Sequence, residues 1–232
     1  MTHMEHITQR MKEAQNNRLD FYTPTGLHVF FKDQLLDDSI DVEAAVAKFE
    51  SLVPSHLLSC IEMVIFGDFE EFHERGINAF YDSGTVYISN VQDDINDILD
   101  DLIHELSHAV EEKYGYEIYG DQKIHHEFYN KRMHLYKILW NMEFKAPKAF
   151  FQNTEYDQEF DEFLHQTVGY HNLNNVLTGI FISPYAATSL REYFATAFTD
   201  FYMQPNHRFL KTVSPAVYEK IILISKEENL DY

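Results

Sequence analysis

Asp93–Val110 reads DDINDILDDLIHELSHAV, and the fold is decided by how this stretch is read. Ile95, Ile98, Leu99, Leu102, Ile103, Leu106, Ala109 and Val110 recur every three or four residues, which predicts a helix with one broad apolar face. Asp93, Asp94 and Asp97 fall in its first turns, where the macrodipole favours anions. Gly115 predicts the C′ position that ends it. Upstream the period shortens. Ala79–Asp82, the pair Ser83-Gly84 and Thr85–Ser89 predict a hairpin, and the apolar run Ile61–Phe66 before Gly67 predicts a buried strand. Further upstream, Val42, Ala45, Val46, Phe49 and Leu52 predict a helix capped by Asp41 and stopped before Pro54. Downstream, helices are expected over Asp121–Phe144, Glu155–Val168, Ser189–Met203 and from Ser214-Pro215 to Lys226. Strands come first and helices after. The expected class is therefore α+β, a small mixed sheet with an edge hairpin against the 93–110 helix, followed by a mainly helical part.

Composition bounds the function classes. The chain has 232 residues, 45% hydrophobic and 15% aromatic, enough for a packed core and against global disorder. The length fits a single domain over 1–232 with a polar, helix-prone arm at 1–20. No apolar run is long enough for a membrane span, and no apolar h-region marks a signal peptide. The expectation is a cytoplasmic protein, or one released by another route, with no membrane partner. Cys60 is the single cysteine, read as a buried inert thiol, which excludes a disulfide framework or a thiolate zinc knuckle. Lys and Arg total 18 against 38 Asp and Glu, a formal net charge of −20 that repels phosphate backbones and argues against nucleic-acid binding. The 13 histidines direct attention to ligand spacing.

His104-Glu105-Leu106-Ser107-His108 has the HExxH pattern. Histidines four apart share a helical face, so both imidazoles can reach one ion about 2 Å from each nitrogen. Glu105 is offset by one position, where it can serve a metal-activated water as general base. The implied cofactor is Zn²⁺. A hydrolytic zinc site also needs a third protein ligand and an open position. The metzincin extension fails, because Glu111 and Tyr114 stand where glycine and histidine are required. Glu192 is the best remaining candidate. It also completes a capping box with Ser189, and the two roles compete for one carboxylate. His165 and His171 are weaker ligand candidates, and the adjacent His125-His126 pair points to different faces. Glu111 and Glu112 are read as solvent-facing at the end of the helix.

Two blocks, 79–114 and 185–224, resemble the lethal-factor-like zinc peptidases of the gluzincin type. HELSHAV at His104–Val110 is similar to the family's HExGHAV, with Ser107 in place of glycine. Glu192-Tyr193-Phe194-Ala195-Thr196-Ala197-Phe198 looks like its glutamate helix, and Pro215-Ala216-Val217-Tyr218 resembles its terminal helix start. The resemblance implies a zincin-like fold and a metalloendopeptidase acting on a protein or peptide. It implies His104, His108 and Glu192 as metal ligands and Glu105 as base. It also implies Tyr185, seven residues before Glu192, as a catalytic phenol donating to the oxyanion. An extended substrate would pair with Ala79–Asp82 or Thr85–Ser89 by strand addition. Thr196 departs from the family's second glutamate, which leaves Asp200 as a substitute. Residues 116–184 form a helical insertion that the resemblance does not address.

Two other readings stay open. Glu105-x-x-His108 and Glu162-x-x-His165 fit a di-iron pattern, with Glu127, Glu143 or Glu192 as bridging carboxylates, although Glu70-x-x-His73 shows how readily that spacing arises here. A catalytically silent zincin-fold binding or structural protein would keep the fold without the reaction.

Overall fold

In the computed structural model, residues 20–230 are described, so the predicted arm at 1–20 lies, but for Asp20, outside the described residues. The described residues make a mixed α+β structure that divides into two compact units on either side of the Ala109–Val110 bond.

The first unit is built on a five-stranded mixed sheet. Its strands are β1 (Asp20–Tyr22), β2 (His28–Phe31), β3 (Met63–Gly67), β4 (Ala79–Asp82) and β5 (Thr85–Ser89), in the order β1-β2-β3-β5-β4. The two ends pair antiparallel, while β2, β3 and β5 run parallel. Register aligns Val29 with Val64 and Val64 with Val86, and Phe31 with Phe66 and Phe66 with Ile88. Period-2 alternation thus puts two buried rows on one face. On the other face Phe80 stacks on Tyr87 at 4.5 Å, with Phe69 edge-on to Tyr87. The predicted hairpin forms at the predicted residues. Ser83 and Gly84 both take positive φ, 48° and 84°, the combination a tight two-residue hairpin turn requires. The strand read as Ile61–Phe66 begins two residues later. β1, β2 and the short helices α2 (Ser55–Leu58) and α3 (Glu70–Arg75) carry too few residues for periodicity to reveal them. Helix α1 (Val42–Leu52) is capped as expected, Asp41 Oδ1 accepting from the Ala44 N–H at 2.9 Å. Cys60 is partly exposed rather than buried.

Helix α4 (Ile95–Tyr119) crosses the boundary between the units. Its predicted stripe is buried from Ile98 through Val110. Gln92 donates to the Ser89 carbonyl at 3.2 Å and to Asp101 at 3.1 Å, joining the end of β5 to this helix. The stop predicted at Gly115 takes the form of a break in the helix and not its end. The backbone kinks at Tyr114 (φ −115°, ψ 24°) and a further turn follows, in which Ile118 is fully buried and the Tyr119 hydroxyl donates to Glu111. Those two anchors override the local stop signal.

The second unit is helical. It contains α5 (Lys123–Asn141), α6 (Lys148–Gln152), α7 (Gln158–Glu162) running into a π-helical turn at Phe163–Val168, and α8 (Tyr170–Leu177). A 3₁₀ turn, Tyr185–Ala187, leads into α9 (Leu190–Met203), followed by α10 (Arg208–Val213) and α11 (Pro215–Ile224). The helix read as Glu155–Val168 starts later because Asp157 caps it, accepting from the Phe160 N–H at 3.0 Å. Ser214 is not the side-chain cap of α11. Glu127 does that work from α5, accepting from the Ala216 N–H at 3.0 Å and from the Tyr193 hydroxyl at 2.7 Å. Phe128, Phe181 and Tyr193 make a three-ring cluster with centroids 5.3–6.0 Å apart. Burial beside Glu127 holds the Tyr193 phenol above the usual range. No described helix is long and apolar enough to cross a membrane.

Candidate metal centre

His104 and His108 occupy successive turns of α4, with ring centroids 5.3 Å apart and planes at 82°. The helix there is fixed by the fully buried Leu102, Ile103 and Leu106 on its apolar side. Between the histidines, Ser107 is fully buried and its hydroxyl donates back to the His104 carbonyl at 2.6 Å. A small side chain that satisfies its own hydroxyl fits there without a further partner. Glu105 is buried on the same turn.

Glu192 stands in the first turn of α9. The serine half of the capping box is formed, with the Glu192 N–H donating to Ser189 Oγ at 3.1 Å. The carboxylate half is where the two readings competed. A carboxylate oxygen of Glu192 and a ring nitrogen from each of His104 and His108 lie within 4.8 Å of one another. Tetrahedral zinc with bonds of about 2 Å sets its donors ~3.3 Å apart. Two imidazoles and a carboxylate at this separation are close enough to serve one ion, and the donor set suits zinc chemically. The group can therefore hold a metal ion. Among the described residues it is the one such cluster of three or more His, Cys, Asp or Glu.

The other candidates are not gathered into a metal-sized group. His165 and His171 are exposed, His165 lying 4.8 Å from the Tyr170 ring. His125 and His126 meet edge to face, with 6.1 Å between ring centroids, and join no such group. Of the residues proposed for a di-iron centre, Glu162 and Glu143 are exposed and Glu127 is engaged with Tyr193 and Ala216. Asp200, the proposed substitute for the missing second glutamate, is a half-buried group on the last turns of α9, its carboxyl raised by burial and lowered by His207. Tyr185 opens the 3₁₀ turn before α9 and is 43% exposed. For strand addition, β5 is interior and paired on both sides, so Thr85–Ser89 is ruled out, whereas β4 is an edge strand that pairs only with β5 among the described residues.

Glu111 overturns its solvent-facing reading. Its side chain is 6% exposed, accepts from the Tyr119 hydroxyl, and pairs with Arg191 Nε at 3.4 Å. Burial and the Glu111 carboxylate push the Tyr119 phenol well up, so it stays a donor. Arg191 immediately precedes Glu192. The signal was present in the spacing, because 104, 108 and 111 continue one helical stripe. The cation that makes burial of Glu111 tolerable lies eighty residues away in sequence. A second carboxylate, Asp101, is driven up to about 7 by burial, against the hydrogen bond from Gln92 and reinforced by neighbouring Asp97, Asp100 and Glu105.

No family model matches the chain, and comparison with curated proteins and with solved structures gives no match either.

Proposed function

We propose that the chain is a zinc-dependent endopeptidase with a zincin-like fold of the gluzincin type. The observation that carries the reading is the convergence of His104, His108 and Glu192 donor atoms within 4.8 Å, on a helix whose intervening Glu105 is buried. Held by His104, His108 and Glu192, zinc would supply Lewis-acid polarisation of the scissile carbonyl and acidify a water. Glu105 would be the general base that accepts a proton from the attacking water and passes it to the leaving amine. Tyr185 donates its phenolic hydrogen bond to the oxygen on which negative charge develops. The outer edge of β4 receives the substrate as an extended strand, main chain to main chain.

The deciding experiment is metal content by elemental mass spectrometry, paired with cleavage of a peptide library. One zinc per chain, sharply reduced in Glu192→Ala, supports the ligand set. Loss of cleavage in Glu105→Gln with zinc retained supports the base. Two irons would move the reading to a di-iron protein. Zinc bound without cleavage of any peptide would make this a silent member that keeps the fold as a binding scaffold.

A further inference from the structure

Arg132 is the largest fully buried side chain and sits mid-way along α5, within the stretch 116–184 that has no assigned role. Its guanidinium meets four backbone carbonyls. Nη1 donates to Ala187 at 2.8 Å and Thr188 at 3.0 Å; Nη2 donates to Asn153 at 3.0 Å and to Phe150. Phe160 covers the guanidinium face, 3.9 Å from Cζ to the ring centroid. Burying a cation against neutral carbonyls is costly, and an apolar side chain would fill the volume more favourably. The forked donor set instead specifies geometry, because it fixes two chain segments against one rigid plane. Those segments are 150–153 and the pair Ala187-Thr188. The latter lies two residues after Tyr185 and four before Glu192. The Leu190 N–H on the Thr154 carbonyl, at 2.8 Å, extends the same seam into the first turn of α9.

We propose that Arg132 is a positioning residue that holds the Tyr185–Glu192 segment in the conformation that presents Glu192 to the metal, and that this is what helices α5 and α6 contribute to the site. The inference rests on the reading of Glu192 as a zinc ligand. Arg132→Lys keeps the charge but offers one point donor in place of the fork, so long-range electrostatics is unchanged while the four-carbonyl grip is lost.

The test is a double-mutant cycle on the full chain. Zn²⁺ dissociation constants are measured by chelator competition for wild type, Arg132→Lys, Glu192→Ala and the double variant, with the visible band of the Co²⁺-loaded forms as a geometric readout. The expected result is a loss of about 10–100-fold in Zn²⁺ affinity for Arg132→Lys, the scale on which supports of a metal ligand act. The double variant should then be no weaker than Glu192→Ala alone, and the Co²⁺ band of Arg132→Lys should shift toward that of Glu192→Ala. Unchanged affinity in Arg132→Lys, or losses that multiply in the double variant, would overturn the proposal, since a purely structural arginine lowers thermal stability without coupling to Glu192. Wild type that takes no zinc, or Glu192→Ala that binds it equally, refutes the parent reading and this inference together. If Arg132→Lys does not fold by circular dichroism, Phe160→Leu loosens the same guanidinium and is held to the same coupling.

Discussion

Replacing Asp101 with asparagine should stabilise the protein, and increasingly so as pH rises. Asp101 lies in α4, partly buried, with Gln92 Nε2 donating to its Oδ2 at 3.1 Å. Its pKa in the folded chain is about 7 against an ordinary 3.8, with burial the leading cause. The sign follows from linkage. A carboxyl whose folded pKa is raised binds more protons in the native state, so its contribution falls as pH climbs from about 4 to about 7 and is flat above. The full gap between 3.8 and about 7 corresponds to about 4 kcal/mol. Integrating only from pH 5 to pH 8.5 leaves about 3 kcal/mol. Asparagine keeps an acceptor for Gln92 and has no proton to lose. The stability difference between Asp101→Asn and wild type should therefore grow by about 3 kcal/mol over that interval. Other titrating groups cancel in the difference. The assay is urea unfolding by far-UV circular dichroism across pH 5–8.5, with a chelator throughout so that metal binding does not enter. A difference that stays constant with pH would show that Asp101 is ionised in the folded protein at pH 5, and the burial argument would fail.

The remaining predictions concern the site and its supports. Glu105→Gln should lower peptide hydrolysis by about 10²–10⁴-fold with zinc content unchanged, measured by elemental mass spectrometry beside a fluorogenic peptide assay. Tyr185→Phe should lower kcat by about 10²-fold while KM and Zn²⁺ affinity hold, because the phenol acts only on developing charge; a change confined to KM would contradict that role. Glu111→Ala should cost about 1–3 kcal/mol in urea unfolding, since it leaves the Tyr119 hydroxyl buried without its acceptor, while the half-exposed Arg191 adds little; a cost under about 0.5 kcal/mol would mean that the Tyr119–Glu111 bond is idle.

Elements with a clear period or a turn signal were legible in the sequence, and those with neither were not. The α4 stripe and the Ser83-Gly84 hairpin are local patterns, and both occur where their periods place them. The ends of elements failed where a distant residue intervened. Beyond the break at Tyr114 the helix resumes past Gly115, its last turn tied back by the Tyr119–Glu111 bond, and the Ala216 N–H at the start of α11 is taken by Glu127 on α5 instead of by a Ser214 side-chain cap. The histidine pair was legible because its four-residue spacing is itself the geometry. Glu192 was legible as the best candidate for a third donor, but Ser189-x-x-Glu192 spacing supports a cap and a ligand equally; the structure forms the serine half of the cap and gathers a Glu192 carboxylate oxygen with the two histidine nitrogens. Arg132 and Asp101 were invisible, and Glu111 was misread despite its place on the His104–His108 stripe, for one common reason. Each is a charged residue whose burial depends on partners or surroundings that local spacing does not encode.

That common reason also explains how a chain at −20 uses its few cations. Three of the 18 basic residues converge on the segments around α9, and each is held by acceptors far along the chain. Arg132 grips the carbonyls of Ala187 and Thr188, Lys131 those of Ile180 and Val213, and Arg191 the carboxylate of Glu111. Burial pulls Lys131 down to about 8 and Arg132 to about 9, so both stay charged near neutrality and keep their donors. A backbone carbonyl carries no counter-charge, so these contacts resist screening by salt better than surface ion pairs do. The segment that carries Tyr185 and Glu192 is thus braced mainly by cation–carbonyl contacts, beside the half-exposed Arg191–Glu111 pair that salt does screen.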